Sequence, residues 1–190
     1  MTITELRDAV LADPPFFDSY ERLVEEDGDP ARPDYRWFAK LVRRLRPKFV
    51  IELGTGRGRT AAQIAAALHE FSFFATINWP NPPSGDDVGA ELAPWRGSNR
   101  IVQVLGDTRE QAWRFPDGAV DLLYIDSTHT CECASAEWAL YRPKLADGAV
   151  VVVDDIDHGD MRRFWDALPY DKVELRCGAA GMFCYREGML

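Results

Sequence analysis

The sequence lacks any run approaching the roughly 20 apolar residues that span a bilayer, so a membrane-spanning helix is not expected. It has only four cysteines, Cys131, Cys133, Cys177 and Cys184, with no CxxC pair. That spacing excludes the common zinc patterns and points to free thiols in a reducing compartment. Positive charge is scarce: 22 Lys and Arg stand against 31 Asp and Glu, for a net charge of −9. An acidic surface of this kind repels a phosphate backbone, so nucleic acid is not an expected partner. The one basic run, Arg43-Arg44-Leu45-Arg46-Pro47-Lys48, reads as the last turn of a helix, where cations suit the macrodipole. The N-terminus has neither a basic start nor an apolar stretch typical of a signal peptide, and a cytoplasmic protein is expected.

What is present is an ordinary globular balance, with 46% hydrophobic residues in 190. The length suits one domain: a helical cap region over 1–48 and a ligand-binding core over 49–190. Apolar spacing predicts a helix capped by Thr4 through Leu6, Val10 and Leu11, then a break at Asp13-Pro14-Pro15. Phe16, Phe17, Tyr20 and Leu23 suggest a second helix, and Tyr35 to Leu45 a third, stopped by Pro47. From residue 49 short apolar runs alternate with helical patterns. Strands are predicted at 49–53, 73–77, 101–105, 120–125 and 149–153, with a final pair at 173–176 and 182–185. Helices are predicted over about 60–70, 108–113, 132–145 and 161–168, and a long loop over 79–98 with one helical turn near Glu91. This order predicts an α/β, doubly wound, Rossmann-like sheet of seven strands, mostly parallel, with helices on both faces and an antiparallel hairpin at one edge. The first five strands are expected to be buried on both faces.

The first strand runs into Glu52-Leu53-Gly54-Thr55-Gly56-Arg57-Gly58. Glycines between a buried strand and a helix let the chain turn tightly and let a ligand approach bare main chain. The spacing is not that of the dinucleotide fingerprint, and no Gly-Lys-Ser/Thr follows as in a phosphate-binding loop. A tight turn without a ligand is the simpler alternative. Asp126 is predicted at the end of the fourth strand, and Asp154 and Asp155 at the end of the fifth, so all three open on one crevice. Converging carboxylates repel unless a cation sits between them, and oxygen-only ligands suit magnesium, calcium or manganese. The alternative is that one acid meets ligand while the others cap helices. His129, three residues past Asp126, is the candidate general base. His158 is a second candidate, and His69 reads as a surface residue.

The acidic residue two before the first glycine, followed by GxGxG, resembles motif I of class I S-adenosylmethionine-dependent methyltransferases. The segment from Val120 to Glu132, the Leu145-Ala146-Asp147-Gly148-Ala149 turn, Asp154-Asp155 and Arg163-Phe164-Trp165 resemble one branch, the small-molecule O-methyltransferases that include macrocin-type sugar enzymes. The resemblance implies that Glu52, Gly54, Thr55, Gly56 and Gly58 wrap the methionine part of S-adenosylmethionine. It places Asp107 and Thr108 at the adenine, although Asp107 also reads as a helix N-cap, and Asp126 at the cofactor as well as at a divalent ion. The base is uncertain in this frame, because Thr128 stands where the branch has an acid. Asn78 stands where the family has an acid for the ribose hydroxyls, and Asp86 or Asp87 could compensate. Trp79 could stack on the cofactor or close the core.

The function expected is methyl transfer to a small-molecule hydroxyl, a sugar or other natural product, with a divalent ion, expected to be Mg2+, held by Asp126, Asp154 and Asp155. A methyltransferase-fold binding module that has lost catalysis is the alternative, and a nicotinamide oxidoreductase a weaker one. The aromatic residues Phe16, Phe17, Tyr35, Trp79 and Trp95 would suit a ring-bearing acceptor, though core packing explains them equally. A homodimer is a possible assembly.

Overall fold

A computed structural model describes residues 1–12, 36–81, 85, 87–175 and 180–188. The expectations at Phe16, Phe17, Tyr20, Leu23, Tyr35, Asp86 and Cys177 lie outside the described residues. Seven strands form one sheet: β1 (Phe49–Leu53), β2 (Phe73–Asn78), β3 (Ile101–Leu105), β4 (Val120–Ile125), β5 (Leu145–Asp154), β6 (Lys172–Glu174) and β7 (Ala180–Cys184). Their order is β3-β2-β1-β4-β5-β7-β6. The first five are parallel, and β7 lies antiparallel between β5 and β6. The expected antiparallel pair is present, with β6 as the outer strand.

Strand residues alternate between two cores, as the pleat requires. Ile51, Ile77, Leu123, Ile125, Val151 and Val153 face one side, where they meet helices α5 (Cys131–Tyr141) and α6 (Met161–Ala167) through Ala134, Tyr141, Phe164 and Trp165. Val50, Phe74, Leu122, Tyr124, Val150 and Val152 face the other, against α1 (Ile3–Ala12), α2 (Arg36–Leu45) and α3 (Arg59–Ala67). The short α4 (Thr108–Gln111) follows β3, and a 3-10 turn (Ala90–Trp95) sits in the long β2–β3 connection.

Three details differ from the expectations. The α1 cap is Thr2, whose Oγ1 accepts from Glu5 N at 3.2 Å while its own N donates to Glu5 Oε2 at 2.8 Å. This capping box moves the start two residues ahead of Thr4. Strand β3 is not buried on both faces; it is the sheet edge, and Val102 and Leu105 are exposed. Pro143 ends α5 early, in a 3-10 turn, and β5 begins at once with Leu145. Arg43 and Arg44 do lie in the last turn of α2. No helix among the described residues is long and apolar enough to cross a membrane.

Candidate active site

The sheet order reverses between β1 and β4, and at such a switch point the crevice beyond the strand ends is open to ligand. There Gly54 N donates to Ile77 O and Asp126 N donates to Leu53 O, both at 2.8 Å. Gly54 has φ of +102°, and a Cβ on it would lie 1.9 Å from the carbonyl oxygen of Asp126. Only glycine lets the β1 turn pass the β4 turn at this distance. Gly58, at φ +92°, begins α3, and Gly89 N reaches back to Gly56 O at 2.9 Å, closing the long connection over the turn.

The crevice holds a cavity of about 460 Å³, within the range of small-ligand sites. Of the residues expected at the cofactor, Gly54, Gly56, Asn78, Trp79, Asp107, Thr108 and Asp126 line it. Glu52, Thr55 and Gly58 do not. Glu52 is fully buried under the turn, where its Oε2 accepts from Thr76 Oγ1 at 2.5 Å, and Thr76 Oγ1 lies 2.6 Å from Thr55 Oγ1. Burial pushes its carboxyl well above the usual range, offset only in part by Thr76. Glu52 therefore braces the turn from below.

Asn78 is also partly committed. Its Oδ1 accepts from Gly56 N at 3.2 Å and its Nδ2 donates to Trp79 O at 2.9 Å. Trp79 is 55% exposed, so it does not close the core. Asp107 caps α4 by accepting from Arg109 N at 2.9 Å. Its carboxylate also takes two bonds from the Arg109 guanidinium, at 3.0 and 2.6 Å, which hold its pKa below the usual value.

Beyond Asp126 lies the cluster that could do chemistry. His129 Nε2 is 3.2 Å from Asp126 Oδ1 and 3.7 Å from Asp155 Oδ2. Asp126, His129 and Asp154 each offer a ligand atom, all within 4.8 Å of one another. Asp155 does not belong to that set. It lies at φ +46° with a half-exposed carboxylate whose Oδ2 is beside the imidazole. The His158 ring stands edge-on to His129, with centroids 5.7 Å apart. Burial, with negative neighbours adding to it, raises Asp126 to about 7 and Asp154 to about 9.

Those shifts fix a sign. Both carboxyls bind protons more tightly folded than unfolded, so the stability they contribute is complete below about pH 4 and is lost as pH rises through about 7 and about 9. The unfolding temperature of ligand-free protein is expected to fall between about pH 5 and pH 9. Asp154→Asn should flatten that fall. A wild-type unfolding temperature that climbs over this range would contradict the reading of the cluster.

Several lining residues were not among those expected: Arg109, Ser127, Thr128 and Cys133. Behind them is Glu137 on α5, fully buried, accepting from Thr108 Oγ1 and Ser127 Oγ. The signal for it was there: Glu137 lies three residues after Ala134 and four before Tyr141, on the buried stripe of the helix.

A family model described as a methyltransferase domain matches residues 51–156, more than half of the chain. The chain belongs to this methyltransferase family. The methyltransferase has the class I sheet, and its fold is that of several solved enzymes. One is a putative caffeoyl-CoA O-methyltransferase from Staphylococcus aureus: TM-score 0.68, 18% identity, 90% of this chain and 93% of that one covered. A second is the O-methyltransferase TomG from Streptomyces achromogenes, solved with S-adenosylmethionine: TM-score 0.66, 17% identity, 98% and 97% covered. A third is an O-methyltransferase from Bacillus cereus bound to S-adenosylhomocysteine: TM-score 0.61, 16% identity, 95% and 94% covered. A curated relative, the uncharacterized protein y4gI of Sinorhizobium fredii, is 27% identical over 94% of this chain. The chain spans about a fifth of that relative's length.

Proposed function

We propose that this methyltransferase moves the methyl group of S-adenosylmethionine to a hydroxyl oxygen of a small molecule. The observation that carries the reading is the juxtaposition at the switch point: the glycine turn opens a cavity beside Asp126, which belongs to a carboxylate–imidazole cluster. The turn suits a donor with a nucleoside and an amino acid end; the cluster suits an acceptor that must lose a proton. Two structural neighbours, O-methyltransferases solved with the methyl donor or its product, support the same assignment.

When bound, the donor supplies a methyl carbon on a sulfonium, open to attack by an oxygen. The protein's part is alignment and activation. The bare main chain at Gly54 and Gly56 lines the methionine side. Asn78 stands at the ribose, and Asp107 with Thr108 at the base. Trp79, exposed at the rim, is placed to cover one face of the donor. The His129 imidazole takes the acceptor proton, and Asp126 and Asp155, beside its Nε2, stabilise the imidazolium that results.

The donor set also fits a divalent ion. Asp154 is buried and Asp126 half-buried, with ligand atoms within 4.8 Å of one another, a pair of acids that a cation would neutralise. Magnesium is commonly held by one or two carboxylates with water and substrate oxygens completing its shell. Asp126 and Asp154 would hold it, and it would lower the pKa of a bound hydroxyl. The working protein is expected to be a single domain in the cytoplasm, with a sugar or other hydroxylated natural product as acceptor.

Asn78 is the observation that favours a second reading, a binding module on the same fold, because no carboxylate stands at the end of β2. The two separate experimentally. Transfer of labelled methyl from S-adenosylmethionine to a panel of sugars and phenols, with and without magnesium, should give an O-methyl product. Tight donor binding with no transfer to any acceptor would favour the module.

Asn78→Asp is a further test. An aspartate oxygen can keep accepting from Gly56 N while the second oxygen meets the ribose hydroxyls with charge-assisted strength. The Kd for S-adenosylmethionine should fall about five- to tenfold. A weaker Kd would place the ribose elsewhere.

A further inference from the structure

We propose that Glu137 is a positioning residue that fixes the polarity of the β3 end of the cavity, so that Thr108 and Ser127 offer only lone pairs to a nucleobase bound there and select an amino group. The inference rests on the reading that S-adenosylmethionine occupies the cavity with its base beside Thr108.

Thr108 follows β3 and Ser127 follows β4, two strand ends separated in the sheet by β2 and β1. Both line the cavity. Both are tied to one atom: Glu137 Oε1 accepts from Thr108 Oγ1 at 2.5 Å and from Ser127 Oγ at 2.6 Å. A hydroxyl has one proton to give. With that proton committed to the carboxylate, what remains on each oxygen is an acceptor. Tyr141 adds to the arrangement from below, its hydroxyl donating to the Thr108 carbonyl at 2.7 Å.

Packing alone does not account for an acid at this position. Glu137 is fully buried, and its Oε2 has no hydrogen-bond partner among the described residues. A buried carboxylate with an idle oxygen costs stability, and an apolar residue on the same stripe would cost less. What Glu137 does that an apolar residue could not is orient two hydroxyls that converge on one of its oxygens. Asp107, next to Thr108, adds a further acceptor, already holding Arg109. With Arg109 turned onto Asp107 through Nε and Nη2, the Thr108–Ser127 side of the wall favours a ligand edge that donates. Adenine presents an amino group at position 6; hypoxanthine presents a carbonyl there, which would face lone pairs.

The test compares calorimetric binding of S-adenosylhomocysteine and its deaminated counterpart, S-inosylhomocysteine, to wild type, Glu137→Gln and Thr108→Val. Wild type should prefer the adenosyl compound by about tenfold or more, the worth of one hydrogen bond and one avoided clash of acceptors. In Glu137→Gln the amide can donate to either hydroxyl and release its proton toward the cavity, so the preference should shrink to within about threefold. Thr108→Val removes a hydroxyl without touching the carboxylate and should shrink it likewise; it carries the test alone if the Glu137 variant does not fold. A preference unchanged in a folded variant, or absent from wild type, overturns the proposal while leaving the methyl-donor reading standing. Wild type that binds neither compound overturns that reading, and the proposal with it.

Discussion

Gly54→Ala is expected to abolish donor binding and to lower the unfolding temperature by about 10 °C. The new Cβ would lie 1.9 Å from Asp126 O and 2.4 Å from Asp126 C, both backbone atoms that cannot swing aside. The φ of +102° adds strain that no L-residue relieves. A clash with main chain at this depth belongs among the large single-site effects, about 3–5 kcal/mol. For a chain of this size each kcal/mol corresponds to about 2–4 °C. Gly56→Ala is the control. Its Cβ meets nothing within 4 Å, and its φ of +49° falls in the left-handed region that other residues sometimes adopt. It should cost only the left-handed backbone penalty, about 1–2 kcal/mol. Thermal melts of the two variants, with calorimetry of S-adenosylmethionine, check both. Equal stability for the pair would mean that the β1 and β4 turns do not approach as described.

His129→Ala is expected to lower kcat for methyl transfer by about 10²–10⁴-fold, the span typical of a lost general base. The Kd for S-adenosylmethionine should hardly move, because His129 does not line the cavity. Magnesium affinity should also survive, since the Asp126 and Asp154 carboxylates remain. The last point discriminates. The His129 imidazole offers a nitrogen to the same donor set as Asp126 and Asp154, and one nitrogen cannot bind an ion and accept a proton at once. Loss of metal affinity in step with turnover would reassign the imidazole as a ligand.

The sheet was legible because its central strands are apolar runs closed by glycine or acid. The bounds of β1, β3 and β4 follow from residue types alone. Edges were less legible. Val102 and Leu105 read as core, but edge position is a property of strand order, which local hydrophobicity does not carry. The glycine turn could be read because Gly54 answers a backbone demand that few other residues meet. Glu52 illustrates the limit. An acid two before the turn fits a ligand contact and a buried brace equally well, and the choice depends on Thr76 of a neighbouring strand. Asp155 differs from Asp154 for a similar reason: adjacent residues at a strand end point apart, and a left-handed backbone decides where the second one goes. Glu137 was missed as a site residue because it sits ten residues past Ser127 in sequence and reaches the cavity only through other side chains.

These separate points depend on one event, entry of a sulfonium nucleoside into the crevice between β1 and β4. Isothermal titration of S-adenosylmethionine into the purified chain, with and without magnesium, measures that event without knowledge of the acceptor. Saturable binding at one site per chain, with micromolar Kd and strongly weakened by Gly54→Ala, is the predicted result. No heat of binding up to millimolar donor, with or without the ion, would contradict the assignment at its base.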